Sequence, residues 1–278
     1  MRCVMPRRLP NKGAKGVEDA YIQVSCGKCY ACLANRRRSW LFRLENENLN
    51  CLFTLFLTLT YNDDCIPKDH KLCKPHLQKF FKRLAHYEDI KYYAIGEYGT
   101  DTFRPHYHAV VFFYSVNDMR NLLEYYTLCC NLWPYGFVAP CRITYRRINY
   151  VLHYHTRPKE PMKGLKTFVI QSKGLGLWFL DDKMIDYLVN TKSTTIKDYN
   201  GNTYVIPRYY RKKLVDMGYD IDPVRDYIYD DSTKERIEKV FQKKIYQIPQ
   251  SDINVYMRDM VRKDKERLAR YNKQDKYI

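Results

Sequence analysis

The chain has 278 residues, 45% of them hydrophobic, which suits one sizeable domain with additions or two small ones and excludes wholesale disorder. A formal net charge of +17 and a pI near 9.3 favour a polyanionic partner, nucleic acid first among them. No run of 18 apolar residues offers a membrane span, and the start Met1-Arg2-Cys3 lacks the apolar stretch of an export signal, so a cytoplasmic protein with no membrane partner is expected.

Ten cysteines in such a chain are expected to be reduced or metal-bound rather than paired. The first fifty residues read as a loop-rich, Cys-containing module and a basic helix over roughly 31–48, with Leu33, Trp40, Leu41 and Leu44 beside Arg36, Arg37 and Arg38. A strand follows, with Leu55, Leu57 and Leu59 on one face and Thr54, Phe56, Thr58 and Thr60 on the other. Pro75 suits the start of a helix that carries Leu77, Phe80, Phe81 and Leu84 at helical spacing. Residues 91–97 and 104–114 read as two antiparallel strands joined at Gly96 and Gly99. A helix over 116–132, a strand over 137–145 and a short helix over 147–156, ended by Pro158, complete the pattern.

This order gives the expected fold: α+β, an antiparallel sheet of split-βαβ (RRM- or ferredoxin-like) type, helices on one face and the other face open to a ligand. Three segments are expected: the Cys-rich module and basic helix (1–50), the core with its extension (51–215), and a charged, partly helical tail (216–278).

The chemistry concentrates in two places. In Arg104-Pro105-His106-Tyr107-His108 the histidines are two residues apart on a strand, so both imidazoles point to one face and suit a borderline divalent metal. A bare pair of surface histidines has the same spacing. The context adds Thr58 and Thr60 from the first strand and the carboxylate of Glu97, a candidate third ligand. In Asn149-Tyr150-Val151-Leu152-His153-Tyr154-His155, Tyr150 and Tyr154 are four apart and share a helical face. A phenol is a poor nucleophile at neutral pH because its pKa lies near 10, and a metal that stabilises the phenolate and polarises a phosphate removes that obstacle. Two such tyrosines can alternate, one holding a strand while the other attacks. An aromatic pair packed on a helix is the bland alternative in a chain with 27 tyrosines.

Phe56-Leu57-Thr58-Leu59-Thr60, the His106–His108 motif and Tyr150-Val151-Leu152-His153-Tyr154 resemble, in order, the three motifs of HUH-superfamily rolling-circle replication initiators. The likeness is greatest to those of gokushovirus-like Microviridae, small single-stranded DNA phages. Cys26-Gly27-Lys28-Cys29-Tyr30-Ala31-Cys32, Gly96-Glu97-Tyr98-Gly99 and Pro207-Arg208-Tyr209-Tyr210 extend the resemblance over about residues 1–215. It implies nicking of a single-stranded DNA origin through a 5′-phosphotyrosine, with Tyr150 and Tyr154 as nucleophiles and His153 beside them. It further implies Mg or Mn at His106, His108 and Glu97, with DNA contacts from Thr58, Thr60 and Arg104. Host polymerase and helicase would be partners in the bacterial cytoplasm. The family usually has Lys where this chain has His153, which leaves the role of that position open.

Cys26, Cys29 and Cys32 are spaced to wrap one ion, and structural zinc wants four ligands; the early cysteine of similar phage proteins makes Cys3 the fourth. The rival readings are an HUH transposase or relaxase and a non-catalytic RRM-like nucleic-acid-binding protein.

Overall fold

The computed structural model describes residues 3–10, 21–99, 101–115, 122–153, 164–191, 193, 195–199, 201–219, 237–244 and 247–274. Two compact units emerge, residues 40–181 and residues 1–39 with 182–278.

The first unit is built on a five-stranded antiparallel sheet. Its strands are β3 (Phe53–Tyr61), β4 (Ile90–Tyr98), β5 (Pro105–Phe113), β6 (Gly136–Arg142) and β7 (Phe168–Gln171), in the order β6-β3-β5-β4-β7. Alternation along each strand sorts the sheet into two faces. Leu55, Leu57, Leu59, Ala94, Tyr107, Ala109, Val111 and Phe113 form the first face. They are buried with Leu77, Phe80, Phe81 and Leu84 of α2 (Lys74–Tyr87) and with Tyr125 and Cys129 of α3 (Leu122–Asn131). The expected α2 pattern is therefore the observed one. Of the helix expected over 116–132, residues 116–121 lie outside those described.

The second face departs from expectation. It is covered along part of its length by Leu41 and Leu44 of α1 (Tyr30–Asn50) and by Ile148, Val151 and Leu152 of α4 (Tyr145–Leu152). The reason is in the strands: Phe56, Tyr93, Ile95, Val110 and Phe112 are too apolar to face water, so helices sit on both sides of the sheet rather than on one. Glu47 of α1 is buried within this layer and accepts hydrogen bonds from Lys91 Nζ (2.7 Å), Tyr114 Oη and the Gly176 amide. A buried carboxylate so supplied with donors is a locating device rather than a liability. β6 stops at Arg142 and α4 starts at Tyr145, earlier than periodicity suggests, because the Thr144 hydroxyl accepts the Arg147 N–H at 3.2 Å and caps the helix.

In the second unit, β1 (Arg7–Pro10) pairs with β2 (Tyr21–Val24), and β8 (Thr195–Lys197) with β9 (Thr203–Val205) through the turn at Asp198–Asn202. α5 (Asp182–Thr191) precedes that hairpin and α6 (Arg208–Asp216) follows it, the latter opened by Pro207. The expected charged tail contains the long helix Gln250–Gln274, and this is no free arm. Its Met260 and Val261 pack against the cluster of Cys3, Cys29 and Cys32. Its buried Asp264 accepts the Tyr30 N–H at 2.8 Å, satisfying one of the orphan donors at the start of α1. A carboxylate is favoured there by the helix dipole as well.

Asp264→Ala removes that cap and is expected to cost about 1 kcal/mol of stability, the usual cost of losing an N-terminal cap. Hydrogen exchange at the Tyr30 amide should speed up; an unchanged rate would show that the tail helix does not hold α1.

Candidate functional site

Three residues of the second sheet face meet at the end where the strands turn polar. β5 pairs His106 with Glu97 of β4 and with Thr60 of β3, and His108 with Thr58 of β3. Glu97 and His108 are buried and His106 is half-buried. The Glu97 Oε1 atom lies 3.4 Å from His106 Nε2 and 3.3 Å from His108 Nε2. The other ring nitrogens point outward to oxygens: His106 Nδ1 to the Arg104 carbonyl (3.1 Å) and His108 Nδ1 to Thr58 Oγ1 (3.0 Å). Gly96, next to Glu97, leaves room for the Phe168 ring, which would lie 3.0 Å from a Cβ there.

The arrangement of His106 is informative. A carbonyl only accepts, so the proton of a neutral ring sits on Nδ1, and Nε2 turns a lone pair toward the Glu97 carboxylate. Two acceptors in that relation need a cation between them, either a proton or a metal. Metal–ligand bonds of about 2.1 Å place adjacent donor atoms about 3.0 to 3.4 Å apart, close to the separations seen here. Two imidazoles and a carboxylate are a donor set for Mn-like divalent ions, and each imidazole already has the outer partner that ligating histidines normally have.

Tyr150 completes the group. Its hydroxyl donates to Glu97 Oε1 at 2.5 Å, and its ring stands edge-on to His108, centroids 4.9 Å apart. α4 buries Ile148, Val151 and Leu152 and so turns Tyr150 toward the sheet. His153 is buried at the C-terminal end of α4. Tyr154 lies outside the described residues, so the expected pairing of the two tyrosines has no structural counterpart to report.

Of the expected DNA contacts, Thr58 is engaged with His108, and Thr60 Oγ1 faces the Phe137 carbonyl at 3.4 Å. The Arg104 guanidinium donates to the Tyr61 carbonyl at 2.7 Å and pairs with Asp63 at 2.7 Å. Two neighbours escaped sequence reasoning. Phe56 stacks on His108 with centroids 5.5 Å apart, and the Arg147 guanidinium stands 6.0 Å from the Phe56 ring. Arg147 lies one helical turn before Tyr150, and the i, i+3 spacing was the available signal.

A second cluster of metal-ligating atoms is in the other unit. The sulfurs of Cys3, Cys26, Cys29 and Cys32 all lie within 4.8 Å of one another, with Cys26–Cys32 and Cys3–Cys29 each at 3.9 Å. Tetrahedral thiolate coordination at about 2.3 Å implies sulfur separations of about 3.8 Å. Backbone amides already point at the sulfurs, from Cys26 to Cys3 (3.3 Å) and from Lys28 and Cys29 to Cys26 (3.5 and 3.3 Å). The thiols do not ionise alike. The Cys32 thiol beside it lowers Cys29 to about 5, whereas Cys32 is pushed up by the same contact and Cys3 by burial.

Comparisons with known proteins point to the same class. Residues 54–159 match the family model described as Replication-associated protein ORF2. The chain is 28% identical to Replication-associated protein ORF2 of Spiroplasma virus 4 over 252 residues, covering 81% of this chain and 76% of that protein. It is 27% identical to Replication-associated protein ORF4 of Chlamydia phage 1, covering 73% of this chain and 59% of that protein. Identity to Replication-associated protein VP4 of Bdellovibrio phage phiMH2K is 29%, over 49% of each. No solved structure gives a significant match. The resemblance to phage replication proteins read from the motifs is thereby borne out.

In reduced, metal-free protein, one thiol of the cysteine cluster should titrate near pH 5, as a thiolate above that pH and a thiol below it. Ultraviolet titration of wild type against Cys29→Ser should show this step only in wild type; four cysteines titrating together above pH 8 would contradict it.

Proposed function

We propose that this relative of phage replication-associated proteins starts replication by nicking and rejoining single-stranded DNA through a 5′-phosphotyrosine. The observation that carries the reading is the meeting of a phenol, a carboxylate and two imidazoles at one atom, Glu97 Oε1. Plain nucleic-acid binding has no use for such a group. The sheet order, with β3 and β5 as central neighbours and β6 and β4 outside them, supports a split-βαβ core of the kind the resemblance implies.

A divalent ion such as Mg or Mn, held by Glu97, His106 and His108, would draw charge from the scissile phosphate and lower its resistance to attack. The chain's own residues do the rest. Tyr150 Oη attacks the phosphorus; the tyrosyl O–P bond forms as the P–O3′ bond breaks. The 3′ oxygen leaves with the electron pair of that bond and ends as a hydroxyl, with the phenolic proton balancing it. Glu97, which already accepts that phenolic hydrogen, is placed to take it at the start. α4 holds the phenol in place, so little orientational freedom remains to be lost. Arg147 is the cation on the same helix face that can meet the phosphate. The covalent link conserves the phosphodiester for rejoining, and the free 3′-hydroxyl suits a host polymerase. Tyr154 is the proposed second nucleophile, His153 a proton donor beside it, and Thr58, Thr60 and Arg104 flank the strand's path. In the other unit, Cys3, Cys26, Cys29 and Cys32 are proposed to hold a structural zinc that organises the start of α1.

Labelled single-stranded origin DNA incubated with wild type should give a protein–DNA adduct on a denaturing gel, mapped by mass spectrometry to Tyr150 or Tyr154. The double variant Tyr150→Phe/Tyr154→Phe should bind DNA yet give no adduct. His106→Ala and His108→Ala should lose nicking but retain most affinity, which phosphate contacts supply. An adduct on another tyrosine, or cleavage with free 5′-phosphates and no adduct, would overturn the mechanism. Elemental analysis should find about one zinc per chain, absent from Cys29→Ser.

A further inference from the structure

We infer that Thr58 is a positioning residue for His108, and that the two threonines of Phe56-Leu57-Thr58-Leu59-Thr60 have different tasks, one orienting a metal ligand and one not. The inference rests on the proposed reading of Glu97, His106 and His108 as metal ligands.

A neutral imidazole has one lone pair and one N–H. For Nε2 to bind an ion, the proton must sit on Nδ1, and an Nδ1–H in a buried ring needs an acceptor. The two histidines meet this need by different means. At His106 the partner is the Arg104 carbonyl, at 3.1 Å. Backbone supplies it, and a carbonyl can only accept, so this ring is held in the ligating tautomer at all times. At His108 the partner is the Thr58 hydroxyl, at 3.0 Å. A hydroxyl both donates and accepts. It can accept from Nδ1–H when Nε2 is a ligand. It can also donate to Nδ1 when Nε2–H turns to Glu97 Oε1, 3.3 Å away. Thr58 therefore supports His108 with and without the ion and lets the ring change tautomer between the two states, while the Phe56 ring stacked on His108 keeps its plane.

Register explains why the task falls to Thr58. It is the direct cross-strand partner of His108, as Thr60 is of His106. Thr60, however, turns its hydroxyl to the Phe137 carbonyl of β6, away from the imidazole. The same residue type, two positions along one strand face, thus has two different partners.

The test is Mn²⁺ affinity of the full-length protein, read from the electron paramagnetic resonance of free ion, with imidazole nitrogen NMR on the same samples. Thr58→Val should bind Mn²⁺ about 10- to 100-fold more weakly, the usual cost of losing an outer partner of a metal-ligating histidine. His108 should also lose its preference for the Nδ1–H tautomer. Thr58→Ser, which keeps the hydroxyl, should restore affinity to within a few-fold, and Thr60→Val should leave it at the wild-type value. Should Thr58→Val fail to fold, the comparison of Thr58→Ala with Thr58→Ser decides the matter by the same criterion. Wild-type affinity in the variants lacking the hydroxyl, with His108→Ala binding weakly, would overturn the role of Thr58 and leave the metal centre standing. Mn²⁺ binding unaffected by His108→Ala would remove the metal centre itself, and this inference with it.

Discussion

The pairing of β5 with β3 on one side and β4 on the other sets His108 opposite Thr58 and His106 opposite Glu97, and the whole site depends on that register. A slip of one residue would carry both imidazoles to the face now occupied by Tyr107 and Ala109. The core resists such a slip. Leu55, Leu57 and Leu59 are fully buried on one face, and Phe56, Val110 and Phe112 are buried on the other. Fully burying side chains of this kind stabilises by roughly 1.5–3 kcal/mol each, so a shifted register would forfeit several such contributions at once. The polar end of the second face is thus fixed by apolar residues that never touch it.

The two candidate metal groups differ as their chemistry requires. The sheet site offers two nitrogens and a carboxylate beside a hydroxyl, a set suited to Lewis-acid help at a phosphate. The cysteine site offers four thiols already accepting backbone N–H groups, a closed set suited to holding structure. Charge is divided unevenly as well. Residues 1–39 and 182–278 contain 30 Lys and Arg against 18 Asp and Glu, whereas residues 40–181 contain 18 against 13. Attraction toward a polyanion therefore comes mostly from the unit without the histidines.

Much of the sheet unit was legible in the sequence because strand alternation has a strict period of two. That period assigned Leu55, Leu57 and Leu59 to the core and put His106 and His108 on one face, and Glu97 fell beside them once β4 and β5 paired. The cover on the second face was not legible, since it depends on where α1 and α4 pack, and Phe56 and Val110 do not announce which helix will bury them. Helix α4 started early because a cap at Thr144 outweighs the periodicity used to place it. Asp264 gave no local signal, being separated by 234 residues from the amide it caps. Long-range partners of that kind are fixed by tertiary packing, and the charged pattern of the tail helix resembled a solvated surface.

The central claim is that Glu97, His106 and His108 form a metal centre with Tyr150 at its edge. Crystals soaked in Mn²⁺ and measured for anomalous scattering test it most directly. The account predicts one strong peak bonded to His106 Nε2, His108 Nε2 and a Glu97 carboxylate oxygen, with the Tyr150 hydroxyl beside it. A peak bound elsewhere, or imidazoles whose Nδ1 atoms turn inward to the ion, would contradict it.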